Sequence, residues 1–533
     1  MKNPRSRLGI ILNAHLPYVR HIDYPKFLEE DWLFEAMNES YIPLLRMLGR
    51  VSSTISGFRI CISLSPTLCT MLGDKALNER FVQYMLCHIE LGEKEIQRLE
   101  GNPAAQALAR NYHDGLASNL AFYKDACASS LLSSFQKLEK KGVLEIITTC
   151  ATHAYLPLYQ DYPRAVNAQV EVGLQTLDYC LDEHSRGFWL PECAYYPGLE
   201  KILAHQNVEW IPLSSQALLT GSQLPLKGNF APIKTPSGVY AFSRDLYLSN
   251  LIWSDKSGYP SDPDYREFYR DIGYDLDMDY IRPYIHEPGV RVFTGYKYWA
   301  VTGHTNEKVL YDPKKAKEKV KEHASNFIYS LRTRADMIRP LIGDDPYFTV
   351  SFDAELFGHW WYEGIDFLEE LIKGMAKSPD IELQSQGDYI LGHPDAQVME
   401  PGWSSWGEGG FNSVWLDSEN NAWLYRHTFK AIENMQELAE RFSQQTSLKK
   451  RFLSQAARET LLLMASDWPF IIHSNTSAGY AKNRLLSHLE NIGLVYNNMC
   501  KNAVNTEWLV KAEKANAIFP NIDYNIFSRG VEA

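Results

Sequence analysis

The sequence contains no long hydrophobic segment and no paired-cysteine motif. No stretch approaches the ~20 apolar residues of a membrane-spanning helix, and the apolar run before Asn13 is shorter than the hydrophobic region of a secretory signal. The 8 cysteines are scattered without Cys-x-x-Cys spacing, and several fall in apolar runs. This usage is typical of reduced, buried thiols. We therefore expect a cytoplasmic protein that does not associate with a membrane.

The sequence also has no strongly basic segment. The 53 Lys and Arg residues are outnumbered by 65 Asp and Glu residues, which gives a net charge of −12. Because nucleic-acid binding depends on Lys and Arg that neutralise phosphates, this balance argues against nucleic acid as a partner. We find no internal repeat and no low-complexity segment.

Aromatic residues, in contrast, are abundant. They make up 13% of the 533 residues and include 13 Trp and 31 Tyr. A hydrophobic core explains most of them, and others are suited to stack against sugar rings. The length exceeds that of one ordinary domain, although a barrel with insertions could fill most of it.

Alternating strand and helix patterns predict a parallel α/β barrel. A helical pattern from residue 67 to about residue 140 is much longer than one crossover helix needs, which indicates a helical insertion. Beyond residue 395 the pattern is mostly helical, so we predict a catalytic domain at 1–395 and a C-terminal helical domain at 396–533. The predicted strands lie at 8–14, 58–66, 144–150, 187–190, 208–215, near 239–253 and at 347–352.

Four predicted strands end in residues that can carry chemistry. His15, His153, Glu192 and Asp353 each follow an apolar run directly or within a few residues. The carboxyl ends of parallel barrel strands share one mouth, where active sites are built. Each residue also has a structural explanation: Asp353 could cap a helix, and a histidine after a strand is commonly a hydrogen-bonded core residue. Because two histidines occur beside two carboxyls, we favour a site.

Two carboxyl groups in one site fit glycoside hydrolysis with retention. One attacks the anomeric carbon, and the other, ~5 to 5.5 Å away, protonates the leaving oxygen. The proton donor must hold its proton near neutral pH, which nearby negative charge and the apolar walls Trp360 and Trp361 would favour. Asp353 is therefore the predicted acid/base and Glu192 the predicted nucleophile.

Five motifs resemble, in order, the signature stretches of glycoside hydrolase family 57. More narrowly, they are similar to its α-1,4-glucan branching enzymes and to its closely related α-amylase-like members. The resemblance spans nearly the whole chain. It implies a distorted, TIM-like (β/α)7 barrel with a helical C-terminal domain that closes over the cleft, a retaining mechanism, and no metal or other cofactor. The motifs are HLPYVRH (15–21), ATHAYLPL (151–158), FWLPECAYYPG (188–198), FDAELFGHWWYEG (352–364) and SDWPFIIHSNTSAGYAKNR (466–484).

The resemblance also implies residue roles. Glu192 in LPECAY matches the family's nucleophile, and Asp353 in FDAELFGHWW matches its acid/base. His15 and His153 match positions that line the donor sugar pocket, and Asp467 matches a C-terminal-domain residue that faces the site. The aromatic positions along the glucan-binding cleft are matched by Trp253, Trp406 and Trp415.

Some of these assignments stay open at the level of sequence. Trp406 and Trp415 lie in a Gly-rich loop without a helical core pattern, so we expect both to be exposed to ligand. Trp360 is expected to be a wall of the pocket. Asp467 could instead cap a helix, and Arg244 could either contact sugar or order its loop.

The predicted activity is cleavage of α-1,4 links in amylose, glycogen-like glucans or maltooligosaccharides by a monomer or weak homo-oligomer. Transfer of the cleaved chain to a 6-hydroxyl would make it a branching enzyme, and transfer to water an amylase. Several branching enzymes of the family carry a Tyr at the tip of the loop after the fifth strand, whereas here TGSQLPLKGNFAPIKTP contains only Phe230. We predict branching with appreciable hydrolysis.

Two other classes of protein are compatible with parts of this pattern. A metal-dependent sugar deacetylase could use His and Asp at barrel strand ends as metal ligands, but this hypothesis gives WLPECAY no role. A non-catalytic glucan-binding protein would be expected to lack a catalytic carboxyl group, and both are present.

Overall fold

The computed structural model describes residues 6–530, apart from 255, 287, 288, 304 and 306. Residues 1–5, which precede the apolar run compared above with a secretory signal, lie outside the described residues. Nine strands are present in the described part: β1 (Ser6–Ala14), β2 (Ile60–Leu64), β3 (Leu144–Thr149), β4 (Phe188–Trp189), β5 (Trp210–Leu213), β6 (Ile233–Lys234), β7 (Tyr240–Ser243), β8 (Tyr347–Asp353) and β9 (Ile381–Leu383).

Seven parallel strands form the barrel. The order β4-β3-β2-β1-β8 is one continuous parallel ladder, and β5 pairs in parallel with β7 in a second sheet. Two parallel bridges join the sheets, Gly187 with Trp210 and Arg244 with Thr349. The ring therefore closes as β1-β2-β3-β4-β5-β7-β8, which confirms the predicted TIM-like α/β barrel.

The barrel strands form where the sequence is apolar on both faces. All residues of β2 and β3 are buried, and β1 and β8 each contain one partly exposed residue. Continuous apolar runs of this kind are typical of parallel strands covered by helices on one side and core on the other. Two short additions lie outside the ring: β6 pairs antiparallel with β7, and β9 pairs with β1.

Helices cover the barrel and form the C-terminal region. A five-residue π-helical segment, Met37–Tyr41, joins the first two helices. The helices are α1 (Glu30–Ala36), α2 (Ile42–Val51), α3 (Pro66–Leu72), α4 (Lys75–Arg98), α5 (Pro103–Asp125), α6 (Leu131–Lys140), α7 (Pro163–Leu181), α8 (Leu199–His205), α9 (Ser215–Leu219), α10 (Leu246–Trp253), α11 (Ile272–Asp275), α12 (Met278–Ile281), α13 (Pro313–Ile342), α14 (Gly364–Ala376), α15 (Gln386–Gly392), α16 (Tyr425–Arg441), α17 (Ser447–Leu463), α18 (Asp467–Ser474), α19 (Ala478–Cys500) and α20 (Thr506–Ala515).

The helical insertion is an antiparallel pair, α4 and α5, set between β2 and β3. Asp74 and Asn102 cap the two helices by accepting hydrogen bonds from Leu77 N–H and Ala105 N–H. Such caps supply partners for backbone N–H groups that have none within the helix. The shorter helix α6 then leads into β3 and serves as the crossover helix.

Residues 249–253 are helical, so the prediction of strand material there is wrong. They belong to α10, whose first turn is capped by the Asp245 carboxylate accepting from Leu248 N–H. Asp245 also pairs with Arg334, with 3.0 Å between Oδ2 and Nε. The composition of an apolar run as short as LSNLIW is compatible with a strand or a helix, and the Asp245 cap favours the helix.

The predicted boundary at residue 395 stays a prediction. The segment that follows it is bonded to the barrel, since Met399 N–H donates to Lys234 O at 3.0 Å and Ser404 pairs with Tyr195. Helices α16, α17, α18 and α19 then pack on one another. Among the described residues, no helix has both the length and the apolar character needed to cross a membrane.

Gly358, in the FDAELFGHWWYEG motif, permits a close backbone approach. Its φ is +103°, and a Cβ built there would lie 1.9 Å from the backbone oxygen of Glu39 in the π-helical segment. Both the left-handed conformation and the missing side chain are therefore required at this position.

We expect Gly358→Ala to destabilise the protein by about 2 kcal/mol or more. The new methyl group must displace the Glu39 carbonyl, which shifts the connection that follows Asp353. Thermal unfolding measures the effect. The control is Gly49→Ala in α2, where a Cβ meets nothing within 4 Å; there alanine should be neutral or stabilising by up to about 1 kcal/mol. Equal melting temperatures for the two variants would contradict the packing argument.

Candidate active site

The ends of β1 and β8 place the first carboxyl group. Asn13 and Asp353 are register partners on these adjacent parallel strands. The Asn13 amide donates from Nδ2 to Asp353 Oδ1 at 3.3 Å, and Asp353 is partly exposed at the barrel mouth. The pairing fixes the carboxyl group by strand register rather than by a flexible loop.

Glu192 follows β4 in a strained backbone conformation. Its φ and ψ are 60° and 24°, and Cys193 also has a positive φ of 48°. Left-handed conformations in residues other than glycine are costly and cluster at functional sites. Trp406 holds Glu192 twice: its backbone N–H donates to Glu192 O at 2.9 Å, and its indole Nε1–H donates to Oε2 at 2.5 Å.

Two histidines and an aspartate complete this end of the site. The rings of His15 and His153 stack with their centroids 3.9 Å apart. His15 Nε2 lies 3.0 Å from Asp467 Oδ1, and His153 Nδ1 lies 3.8 Å from Glu192 Oε1. Burial lowers the pKa of His153 well below its usual value, so this histidine is a neutral neighbour of Glu192 rather than an ion-pair partner.

Asp467 is the first residue of α18, so the C-terminal helices contribute directly to the site. Ser466 precedes it and is bonded to the barrel by two contacts with His153. Its backbone N–H donates to His153 O at 3.3 Å, and its Oγ lies 3.2 Å from Nδ1. The alternative role of Asp467 as a helix cap receives no support, because no side-chain cap is formed at the start of α18.

The two carboxyl groups influence each other electrostatically. Burial first, and the charge of Asp353 second, raise the pKa of Glu192 to about 8. Burial also raises the pKa of Asp353 to about 6, opposed by the Asn13 hydrogen bond and by the charges of His15 and Arg244. Interacting carboxyls titrate as a unit, so near neutral pH this pair carries one proton.

In the free site the pKa of Glu192 lies above that of Asp353, which is the reverse of the order required of a nucleophile and a proton donor. The Trp406 indole opposes this order, because its hydrogen bond lowers the pKa of Glu192 by favouring the carboxylate.

A third carboxyl group, that of Glu355, lies near Asp353. Burial and the charge of Asp353 raise its pKa to about 8, and Tyr41 donates a short hydrogen bond to it.

Aromatic side chains and one arginine form a wall beside Glu192. Trp253 is 41% exposed, and its ring is stacked with that of Trp406 at 6.2 Å. Trp189 is buried and meets Trp406 edge to face at 5.1 Å. The Arg244 guanidinium lies 5.2 Å from the Trp406 ring centroid. Exposed, stacked indoles of this kind offer flat apolar faces to a ligand.

Arg244 lies near Asp353 in the site. Its neighbour Asp245, rather than Arg244, orders the following chain by capping α10. The Arg244 side chain is buried, and its Nε has no hydrogen-bond partner among the described residues. Its charge acts on Asp353. Contact with a sugar stays a prediction for Arg244.

The expectation that Trp415 is exposed to ligand is wrong. Only 3% of this residue is exposed, and its ring stacks on Tyr155 at 4.6 Å. Tyr425 fixes the backbone by donating to Trp415 O at 2.6 Å. A Gly-rich loop suggested exposure, but the loop folds inward and this indole joins the barrel to the C-terminal helices.

The two tryptophans after β8 differ. Trp360 is 45% exposed, and its place in the pocket wall stays a prediction. Trp361 is buried against Phe367, with ring centroids 5.0 Å apart, and belongs to the core.

Sequence reasoning missed three residues that bond groups in or next to the site. Asn13 bonds Asp353, Tyr41 bonds Glu355, and Ser466 bonds His153. Asn13 could have been found, because it lies two residues before His15 at the end of a predicted strand. The contacts of Tyr41 and Ser466 span 314 and 313 residues and have no local signal.

Strained Glu192 and register-fixed Asp353 at the mouth of a seven-stranded parallel barrel define a carbohydrate-active barrel enzyme with paired carboxyls. The family model described as "Glycosyl hydrolase family 57" matches residues 9–400, and the model "1,4-alpha-glucan branching enzyme, C-terminal" matches residues 427–527. The chain belongs to glycoside hydrolase family 57.

Solved structures of similar proteins cover almost the whole chain. The α-amylase AmyC from Thermotoga maritima is 40% identical, with a TM-score of 0.92 and 99% of each chain covered. The GH57-type branching enzyme from Pyrococcus horikoshii is 28% identical, with a TM-score of 0.87 and coverage of 98% of this chain and 97% of that one. The branching enzyme TK1436 of Thermococcus kodakarensis is 28% identical over 528 residues, covering 93% of this chain and 74% of that protein.

We expect a bell-shaped pH dependence of kcat/KM on an α-glucan. Activity needs one proton on the carboxyl pair, so it should rise as the pH passes about 6 and fall as it passes about 8. Initial rates are measured at subsaturating substrate from about pH 4 to about pH 10, a range that extends beyond both pKa values. A plateau from about pH 5 upward would contradict the coupled pair.

Trp406→Phe should move the basic limb of this profile to higher pH. The variant removes the indole N–H that stabilises the Glu192 carboxylate, so the pKa of Glu192 rises. Trp253→Phe is the matched control, since Trp253 touches Trp406 but no hydrogen bond joins it to the carboxyls in the described structure. If both variants keep the wild-type basic limb, that limb belongs to another group such as Glu355.

Proposed function

We propose that this chain is a retaining 1,4-α-glucan branching enzyme. The observation that carries the proposal is the contact of Asp467 with His15 beside the carboxyl pair. Through it, the region that matches the branching-enzyme C-terminal model forms part of the reaction site rather than a remote appendage. The branching enzymes of Thermococcus kodakarensis and Pyrococcus horikoshii named above support the same activity.

In the first half-reaction, Glu192 attacks the anomeric carbon of an α-1,4-linked glucosyl unit. Asp353 gives its proton to the departing 4-oxygen, and a covalent glucosyl-enzyme forms. The pair therefore has to place its single proton on Asp353 when substrate is bound. Trp406 assists by donating to the Glu192 carboxylate, and neutral His153 adds no competing ion pair.

In the second half-reaction, Asp353 removes a proton from the 6-hydroxyl of another glucan chain, which attacks the glucosyl-enzyme. Water competes for the same intermediate, so transfer requires a positioned acceptor and a site that excludes solvent. Stacked Trp253 and Trp406 provide one face for a sugar ring, and α18 contributes Asp467, which contacts His15 at the rim of the barrel.

An α-amylase activity is the second candidate. The α-amylase AmyC shares 40% identity with the chain, against 28% for the branching enzyme of Pyrococcus horikoshii. In addition, Phe230, the one aromatic residue in the loop after β5, packs on Phe348 of β8 at 5.6 Å and so does not reach over the cleft. The ratio of branching to hydrolysis therefore depends on acceptor handling by other groups.

Incubation with amylose distinguishes the two activities. We expect new α-1,6 linkages in the proton NMR spectrum, accompanied by a smaller increase in reducing ends. The Glu192→Gln variant, which is expected to be inactive, serves as the negative control. Reducing ends without α-1,6 signals would assign the chain as a hydrolase and end the branching proposal.

Separate roles for the two carboxyls can be tested with an activated substrate. Asp353→Asn should lower turnover of amylose by about 10²- to 10⁴-fold, but largely keep the first step on α-maltosyl fluoride, whose leaving group needs no proton. Glu192→Gln should lose both activities, because no covalent intermediate forms.

The control for this pair is Glu209→Gln, which changes an exposed glutamate bonded to Arg186 and should leave turnover unchanged. Retention of fluoride release by Glu192→Gln, with its loss in Asp353→Asn, would reverse the two roles. The α-glucan as substrate, a monomeric or weakly oligomeric state and a cytoplasmic location remain predictions.

A further inference from the structure

A cavity of about 310 Å³ lies between the helical insertion and the barrel. It is lined by α2, α4 and α5, by Arg266 and Thr294, which respectively precede α11 and follow α12, and by the segment from Gly358 to Asp366. None of the proposed catalytic or substrate-binding residues lines it. A volume near 300 Å³ is at the lower end of the range for ligand pockets, which suits a short ligand rather than a long chain.

Two buried polar side chains of the cavity wall each have one nitrogen with no hydrogen-bond partner among the described residues. His88 is 4% exposed; its Nδ1 is 2.8 Å from Tyr84 O, so Nδ1 carries the proton and Nε2 is a bare acceptor. Arg266 is 6% exposed, and its Nε–H has no acceptor. Buried polar groups are normally satisfied, and leaving one unsatisfied costs about 1–3 kcal/mol. Both nitrogens are enclosed by protein atoms, so a ligand bonds them only if the side chains of the wall shift slightly.

Aromatic faces flank these groups. The Arg266 guanidinium stacks on Tyr362, 3.8 Å from its ring centroid, and lies 5.6 Å from that of Tyr112. Asn38 and Asn119 add side-chain amides, already joined by a 3.0 Å hydrogen bond. Aromatic rings beside amides and a guanidinium form a surface that can pack against the apolar face of a sugar ring and bond its hydroxyls.

The wall carries charges of both signs, since Arg46, Arg50 and Arg266 line the cavity beside Glu39 and Asp366. Two of the arginines are already engaged, because Arg50 pairs with Glu369 and Arg46 donates to Asn119. Burial opposes ionisation of Glu39, but the hydrogen bond from His359 lowers the pKa of Glu39 below its usual value, so it is a carboxylate that can accept from a hydroxyl. Acceptors and donors on one wall suit a polyhydroxyl ligand, and the arginines make phosphate the rival ligand to test.

We propose that this cavity is a second carbohydrate site, which binds one end or one short stretch of an α-glucan apart from the catalytic cleft. The ligand class rests on the proposed function, since α-glucan is the substrate of the carboxyl pair. Binding one polymer at two places raises the effective concentration of the second segment. The helical insertion then has a function: α4 and α5 supply His88, Tyr112 and Asn119.

Gly115 in α5 allows the cavity to be filled without disturbing the core. It lines the cavity, and a Cβ built there meets nothing within 4 Å. Gly115→Trp therefore places an indole at the cavity from an exposed helix face. Gly493→Trp is the matched control, a second helical glycine with open space at Cβ and outside the cavity.

Binding of maltotriose to full-length Glu192→Gln protein is measured by titration calorimetry and by protein NMR. We expect Glu192→Gln/Gly115→Trp to lose one class of maltotriose site, with affinity reduced at least tenfold, and Glu192→Gln/Gly493→Trp to keep it. Asn111→Ala, an exposed change on the cavity wall, should weaken the same site by a smaller factor. Unchanged binding in both cavity variants would overturn the proposal.

Inorganic phosphate is titrated in parallel. Phosphate binding that Gly115→Trp abolishes, without a maltotriose site at the cavity, would also overturn the proposal and show an anion site. The result of the cavity-binding experiment is independent of the result for the proposed function. A cavity-dependent maltotriose site in a protein that neither branches nor cleaves amylose supports the site while the activity fails, whereas amylose turnover without that site rejects only the cavity proposal.

Discussion

The register between β1 and β8 is the constraint on which the site depends. It puts Asn13 opposite Asp353 and brings His15 to the same rim, where Asp467 reaches it from the C-terminal helices. A shift of one residue would turn every side chain of the strand to the other face and would separate Asp353 from its amide partner. Because both strands are buried and apolar, the register is strongly specified by the core.

The second carboxyl group depends on strain. Glu192 and Cys193 both adopt positive φ values, which cost of order 1–3 kcal/mol each and persist only where the surroundings hold them. Trp406 does so with one backbone and one indole hydrogen bond. Glu192, the proposed nucleophile, is thus held by a segment 214 residues away in sequence, so the barrel alone does not complete the site.

Much of the barrel, and the positions of Glu192 and Asp353 at strand ends, followed from the sequence, since β1, β3 and β8 are continuous apolar runs, Asp353 ends β8 and Glu192 comes shortly after β4. Helix α10 was missed because its short apolar run has no period that separates helix from strand. Trp415 was expected at the surface because its loop is rich in Gly, but burial against Tyr155 is decided by tertiary packing. The contacts of Tyr41 and Ser466, each spanning over 300 residues, follow only from the closed fold.

The barrel ladder is thinnest on either side of the three-stranded sheet, at the bridges of Gly187 with Trp210 and Arg244 with Thr349. Glu192 follows the strand at one seam, and Arg244 forms the other. Glu192 and Asp353 both stand at the ends of strands in the continuous β4-β3-β2-β1-β8 ladder, so a small displacement of the three-stranded sheet would move Arg244 and leave the spacing of the two carboxyls unchanged. The side of the mouth that carries Arg244 is therefore the part of the rim that can yield to a bulky ligand without disturbing the carboxyl pair.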